Sequence, residues 1–377
     1  MVRHLLVTND FPPKVGGIQS YLWELWRRLP SEETAVLTTG FEGADEFDQK
    51  QDYRIERIRR GFMLPTPQLV RRINRLADEH EAELVLLDPV LLVGVLGHVI
   101  DKPYGLILHG AEVTIPGRLP VSKSMLSKTL RGAEIVIAAG SYPLSEAEKA
   151  AGTTLRSAVV PPGVDTNRFV PLDGQCRSIA RESFGIQDDD FLLATVNRLV
   201  PRKGICTVIK AAAEIKRKRP TSRLQLLVGG SGRQRSHLEK LIEETGSPCR
   251  LLGKISDEDV AKLYGCADLM AMMCNERWLG LEQEGFGIAF LEAAASGVPQ
   301  VAGRSGGSHE AVAEGVTGLI IDDSRDVASV VGAIESLMDD EKRRRSMGRQ
   351  ARIRAQQTFD YDQLAKVVQT SLEELEL

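Results

Sequence analysis

No apolar run in this sequence approaches the ~18 residues that a membrane-spanning helix needs. The opening MVRHLLVTNDFPP holds an apolar core too short for a secretory signal and reads as a first strand. Cys176, Cys206, Cys249, Cys266 and Cys274 are scattered, with neither CxxC nor Cys/His spacing. That pattern indicates neither a disulfide framework nor a zinc site, and a reducing cytoplasm fits it best. An excess of one charge is also missing: 48 Lys and Arg face 52 Asp and Glu, so bulk charge gives no support to a nucleic-acid partner. The dinucleotide fingerprint G-x-G-x-x-G is absent from the N-terminal glycine loop. Peripheral membrane contact stays open, and nothing in the sequence speaks to oligomeric state.

What is there is an α/β repeat. A chain of 377 residues has room for two cores. Short apolar strands recur at 4–8, 35–38, 84–87, 104–108 and 133–138, then at 191–196, 224–228, 250–252, 269–273 and 300–302. Runs this apolar fit a parallel sheet covered on both faces. Many of them end in glycine loops that lead into helices, the logic of a nucleotide-binding half. The boundaries expected are 1–170 for a first Rossmann-like domain and 186–358 for a second, with a final helix from about 359 to 377 crossing back to the first. Residues 66–80 predict an amphipathic helix with Leu69, Ile73 and Leu76 on one face and Arg71, Arg72 and Arg75 on another. With Arg54, Arg57, Arg59 and Arg60 nearby, this is either an ordinary surface helix or a basic rim suited to anionic lipid.

Four places carry chemistry. In EGFGIAFLEAAASG, Glu284 and Glu292 stand eight positions apart around Gly285 and Gly287, and a helix starts near Ile288 and Ala289. The unpaired N–H groups of a helix's first turn favour phosphate. In NRLVPRKG, Asn197, Arg198 and Lys203 follow a strand and precede a helix, a strong anion site. Gly16 and Gly17 sit between the first strand and its helix, which places Gln19 and Ser20 in the first turn. His109 ends a strand, followed by Gly110 and Glu112. Acids at helix starts, basic loops and lone histidines are each common, so the weight lies in their combination.

That combination resembles the retaining glycosyltransferases of family 4. A Glu, seven residues and a Glu with glycines after each, together with GGIQ, PPGVD, NRLVPRKG, GGSG and SGG, cover nearly the whole chain. TNDFPPKVGGIQSYL, NRLVPRKG and QEGFGIAFLEAAASGVP are similar to the GDP-mannose-dependent phosphatidylinositol mannosyltransferases. The resemblance implies the GT-B fold, two Rossmann-like domains facing across a cleft. It implies a nucleotide sugar as donor and a hydroxyl acceptor, including a membrane glycolipid, with a cytoplasmic enzyme able to sit peripherally on the inner face of the plasma membrane. It assigns the transferred sugar to His109 and Glu284, and the diphosphate to Gly16, Gly17, Arg198, Lys203 and the helix start at Gly287, Ile288 and Ala289. The ribose goes to Glu292, and the nucleobase to the backbone around Lys254 and Ile255. Asn197 and Gly230 fall in the same nucleotide-binding loops. The segment CNERWLGLEQ and the HGAE motif depart from the family pattern, which leaves the acceptor open.

The mechanism implied is hexose transfer with retention, in which leaving-group charge is met by preorganised donors. No DxD-like pair is placed to hold a metal on the diphosphate, so no metal and no cofactor are expected. An epimerase would need an acid and a base flanking one sugar carbon, and only His109 offers itself on the N-terminal side. A non-catalytic nucleotide-sugar binder should have lost Arg198, Lys203 or Glu284, and all three are present. A UDP- or ADP-sugar donor with a soluble acceptor remains the serious rival.

Overall fold

A computed structural model describes residues 2–59, 61–110, 112–113, 120–276 and 286–376, the side chains of residues 120, 121 and 309 excepted. The chain divides into two compact units, Met1–Gly163 with Tyr361–Leu377, and Val164–Asp360.

The first unit is a seven-stranded parallel sheet, in the order β3-β2-β1-β4-β5-β6-β7. Its strands are β1 (His4–Thr8), β2 (Thr34–Thr39), β3 (Arg54–Ile58), β4 (Leu84–Asp88), β5 (Tyr104–Leu108), β6 (Ile135–Ala138) and β7 (Ser157–Val159). β1, β2, β4 and β5 are buried along their whole length. Successive side chains of a strand point to opposite faces. Leu5 and Val7 therefore enter one core with Leu69, Ile73 and Leu76, whereas Leu6 enters another with Leu22, Leu25 and Trp26.

The amphipathic helix forms at Pro67–Glu79, where the Thr66 hydroxyl accepts from the Leu69 N–H at 3.3 Å. Its basic face is partly neutralised. Arg72 and Arg75 meet Glu56 at 2.6 and 2.7 Å, and Arg54 meets Glu79 at 2.5 Å.

The C-terminal helix, Tyr361–Glu373, belongs to this unit. It buries Tyr361, Leu364, Ala365, Val368 and Leu372 in the core of Leu22, Leu25 and Trp26, and its Asp362 accepts from Arg28 Nε at 2.5 Å. The two aromatics of the FDY segment, at which the sequence starts this helix, are split. Phe359 lies in a core of the second unit and Tyr361 in that of the first.

The second unit is a six-stranded parallel sheet in the order β10-β9-β8-β11-β12-β13. Its strands are β8 (Phe191–Val196), β9 (Leu224–Gly229), β10 (Cys249–Gly253), β11 (Leu269–Met272), β12 (Gln300–Gly303) and β13 (Gly318–Ile321).

Three features differ from the sequence reading. The first unit ends at Gly163, not at residue 170, because Val164 N–H donates to the Phe359 carbonyl at 2.8 Å and Phe169 is buried with the second unit's apolar residues. The second unit also begins well before residue 186, with a helix at Gly174–Ser183. Its polar sequence gives little helical signal. The fully buried Arg181 anchors it, bonding to Asp268 Oδ2 at 2.6 Å and to the carbonyls of Gln187 and Asp190, both at 2.9 Å. The region after Asp326, which the sequence reads as two helical stretches, holds three α-helices, because Asp340 interrupts the run and caps the helix Glu341–Arg354 by accepting from Arg343 N–H at 2.8 Å.

In both sheets the strand order reverses, between β1 and β4 and between β8 and β11. The carboxyl ends of the strands beside such a switch point are where open α/β sheets take ligands.

Candidate active site

In the second unit the chain leaves β8 through Asn197 and Arg198. Asn197 N–H donates to the Gly229 carbonyl at 3.0 Å, and its side-chain amide donates to Thr195 Oγ1 at 3.0 Å. The GGSG loop after β9 is laid directly onto this turn. Leu199 N–H donates to the Ser231 carbonyl at 2.9 Å, and Gln234 N–H to the Leu199 carbonyl at 3.1 Å. At Gly230 (φ 120°) a Cβ would overlap the Asn197 carbonyl oxygen. The close approach that Gly230 allows is therefore to the Arg198 loop itself. Lys203 is buried at the end of the turn Pro201–Lys203. Gly204 follows at φ 61° and starts the helix Ile205–Lys218, which has no side-chain cap.

The neighbouring helix, Ile288–Ala295, starts from Gly287 at φ 89°, also without a side-chain cap. Ile288 and Ala289 form its partly buried first turn. One turn further in, burial pushes the Glu292 carboxyl up to about 7; Asp257 adds to the rise, while Arg168 and Lys203 oppose it. Tyr264 is held well above its usual range by burial and then by Glu292, and its hydroxyl accepts from Val196 N–H at 3.0 Å. Lys203, Glu292 and Tyr264 thus share one electrostatic environment beside β8. Ile255 lies against Gly229, and Lys254, just past β10, is exposed. Glu284 lies outside the described residues.

In the first unit Gly16 is extended (φ 171°) and Gly17 opens the helix Gly17–Trp26, again with no side-chain cap. Gln19, in that first turn, does not stand open. It is buried, folds back over Gly16 and donates to Asp10 Oδ1 at 2.5 Å, where Lys14 also binds at 2.8 Å. Ser20 is exposed.

His109 follows β5. Its Nε2 lies 3.2 Å from Asp88 Oδ1, a contact whose alignment falls short of a hydrogen bond. Its ring meets Tyr21 edge-on with centroids 5.6 Å apart. Glu112 folds back to accept from the backbone N–H groups of both His109 and Gly110. Burial works against a charge on His109, but Asp88, Glu112 and Asp10 together outweigh it and raise the imidazole above its ordinary value.

Residues 177–354 match the family described as glycosyl transferases group 1. A GDP-mannose-dependent alpha-(1-6)-phosphatidylinositol monomannoside mannosyltransferase of Mycolicibacterium smegmatis is 36% identical over 91% of this chain and 91% of its own. The chain is a group 1 glycosyltransferase. A D-inositol 3-phosphate glycosyltransferase of Pseudarthrobacter chlorophenolicus is 33% identical over 69% of this chain and 60% of its own. Among solved structures, Anabaena HepE in complex with UDP superimposes with a TM-score of 0.81 at 21% identity, covering 99% of this chain and 100% of its own. That likeness shows the fold, which is the GT-B class.

Sequence reasoning about this glycosyltransferase missed Thr8, Asp88 and Tyr264. Asp88 had a readable signal, a lone carboxylate closing the apolar run LVLLD, but Tyr264 had none, since it sits within an ordinary helix. Among the described residues no group of three or more His, Cys, Asp or Glu is placed to hold a metal ion.

Proposed function

We propose that this glycosyltransferase moves mannose from GDP-mannose, with retention at the anomeric carbon, to a hydroxyl of a phosphatidylinositol mannoside-type glycolipid. The observation that carries this reading is the 36% identity to the M. smegmatis mannosyltransferase across 91% of both chains. In this reading Arg198, Lys203, the Gly16–Gly17 amides and the helix start at Gly287 to Ala289 meet the diphosphate. Glu292 holds the ribose, the backbone at Lys254 and Ile255 holds the base, and His109 and Glu284 orient the sugar. The bond from the anomeric carbon to the diphosphate oxygen breaks as the acceptor oxygen bonds to the same face of that carbon. The departing phosphate takes the acceptor's proton, and no metal is required. Preorganised donors of this kind are worth ~3–4 kcal/mol each. No helix of the described residues is long and apolar enough to cross a membrane. In this reading a lipid acceptor is met from a peripheral position on the inner face.

A second reading has a soluble inositol phosphate as acceptor. It draws on the 33% identity to the P. chlorophenolicus enzyme over 69% of this chain. Parallel calorimetric titrations with GDP, UDP and ADP address the donor first, and GDP should bind most tightly. A preference for UDP or ADP overturns the mannosyl assignment. With GDP-mannose as donor, turnover of a phosphatidylinositol monomannoside and not of inositol 3-phosphate decides between the acceptors.

A further inference from the structure

Among the groups that the nucleotide site does not use, the most heavily built lies at the switch point of the first sheet. Thr8 and Asp88 are register partners across β1 and β4, at the carboxyl end of each strand. Both are buried, with exposures of 0% and 1%. Thr8 Oγ1 donates to Asp88 Oδ2 at 2.6 Å and accepts from Asp10 N–H at 2.9 Å. The other oxygen of Asp88 faces His109 Nε2, at the end of the next strand, at 3.2 Å. Asp10 in turn receives Gln19 from the glycine loop.

A carboxylate buried this deeply is costly unless its oxygens are occupied. Thr8 satisfies one oxygen, and the imidazole is the group that the structure places at the other. The remaining neighbours of the ring either lack charge or pull the same way. Tyr21 presents a ring edge, and Glu112 is occupied by the backbone amides of His109 and Gly110.

We propose that Asp88 is a positioning residue for the sugar-facing His109. Supported by Thr8, it fixes the ring with its Nε2–H toward β4 and leaves Nδ1 as the nitrogen available to the substrate. The proposal rests on the reading that His109 meets the transferred sugar. It adds a carboxylate outside the substrate's reach that decides which nitrogen of His109 serves. A ring held this way donates to a sugar hydroxyl over a wider pH range than a free one.

The test separates the two claims. In the protein without substrate, nitrogen-15 NMR of the imidazole should show the neutral form of His109 protonated at Nε2. Asp88→Asn should lower the His109 titration midpoint by about one pH unit or more, the scale of losing an adjacent opposite charge. The same substitution should cut kcat by ~10²-fold with KM for GDP-mannose little changed, and should move the acidic-to-basic limb of the pH profile with the NMR midpoint. Asp88→Asn keeps the size of the side chain, and unaltered calorimetric binding of GDP reports an intact second unit. If Asp88→Asn does not fold, the wild-type tautomer alone decides: a neutral ring protonated at Nδ1 overturns the assignment. An unmoved midpoint in a folded Asp88→Asn protein overturns it equally. His109→Ala with wild-type turnover would instead sink the sugar-facing reading, and the catalytic consequence with it, whatever the titration shows.

Discussion

The charges beside β8, a buried lysine and a partly buried glutamate, oppose one another. Glu292 sits deep enough that its carboxyl is pushed up to about 7, with Lys203 pulling the other way. Its folded pKa lies above the usual carboxylate value. The stability linked to it is therefore fully present at acidic pH and falls as pH rises from near 4.5 to about 7. His109, also raised, loses its contribution over a higher window, as pH climbs from the ordinary histidine value through its folded one. Glu292→Gln should thus raise the melting temperature of the free protein at pH 8, by a free energy on the order of 3 kcal/mol, while weakening GDP. Thermal denaturation at pH 5 and pH 8 checks the sign: the gain should shrink to below ~1 kcal/mol at pH 5. Lys203 is the more direct probe of the phosphate site. Lys203→Ala should lower kcat/KM by ~3–4 kcal/mol with the fold intact, and near-wild-type turnover would remove it from the diphosphate.

Elements carry the site through glycines that side chains cannot replace. Gly204 links the buried Lys203 to the helix Ile205–Lys218 at φ 61°, and a Cβ there would overlap the Met273 carbonyl oxygen at the end of β11. Gly204→Ala combines a left-handed backbone with a backbone clash, and should cost at least ~1–3 kcal/mol of stability and displace Lys203. Chemical denaturation alongside calorimetric titration with GDP measures both effects. An alanine variant as stable and as tight-binding as the wild type would mean that the turn is not what places the lysine. Gly230 works in the same way, its loop closing on Asn197. The sequence placed Gly230 in a nucleotide-binding loop. The structure assigns the close approach at both positions to neighbouring backbone.

For the whole molecule, the two parallel sheets each offer a switch point, and the C-terminal helix returns to the first unit through five buried side chains, Tyr361, Leu364, Ala365, Val368 and Leu372. Metal use is a property at this scale, since it depends on what every loop brings to the diphosphate. Turnover with GDP-mannose should be unchanged by excess chelator. Activity lost to chelator and restored by magnesium would require acidic ligands that the sequence reading did not find.

The sequence by itself determined a good deal. Apolar runs such as HLLVT and LVLLD can satisfy their backbone only in a sheet covered on both faces, so the doubly wound units were legible from local pattern. The NRLVPRKG and EGFGIAFLEAAASG motifs pointed to candidate anion sites for a related reason: a strand end, a glycine and a helix start are adjacent in sequence, and their chemistry is local. Tertiary structure decided what depends on distant partners. The helix Gly174–Ser183 exists because Arg181 finds Asp268, and the first unit is completed by residues from the far end of the chain. Gln19 is turned inward by Asp10, and the basic face of Pro67–Glu79 is met by Glu56 from the neighbouring strand. Asp88 becomes the partner of His109 only because β1, β4 and β5 lie side by side. Ion pairs and buried polar contacts are set by pairing across the sheet, which no spacing along the chain encodes.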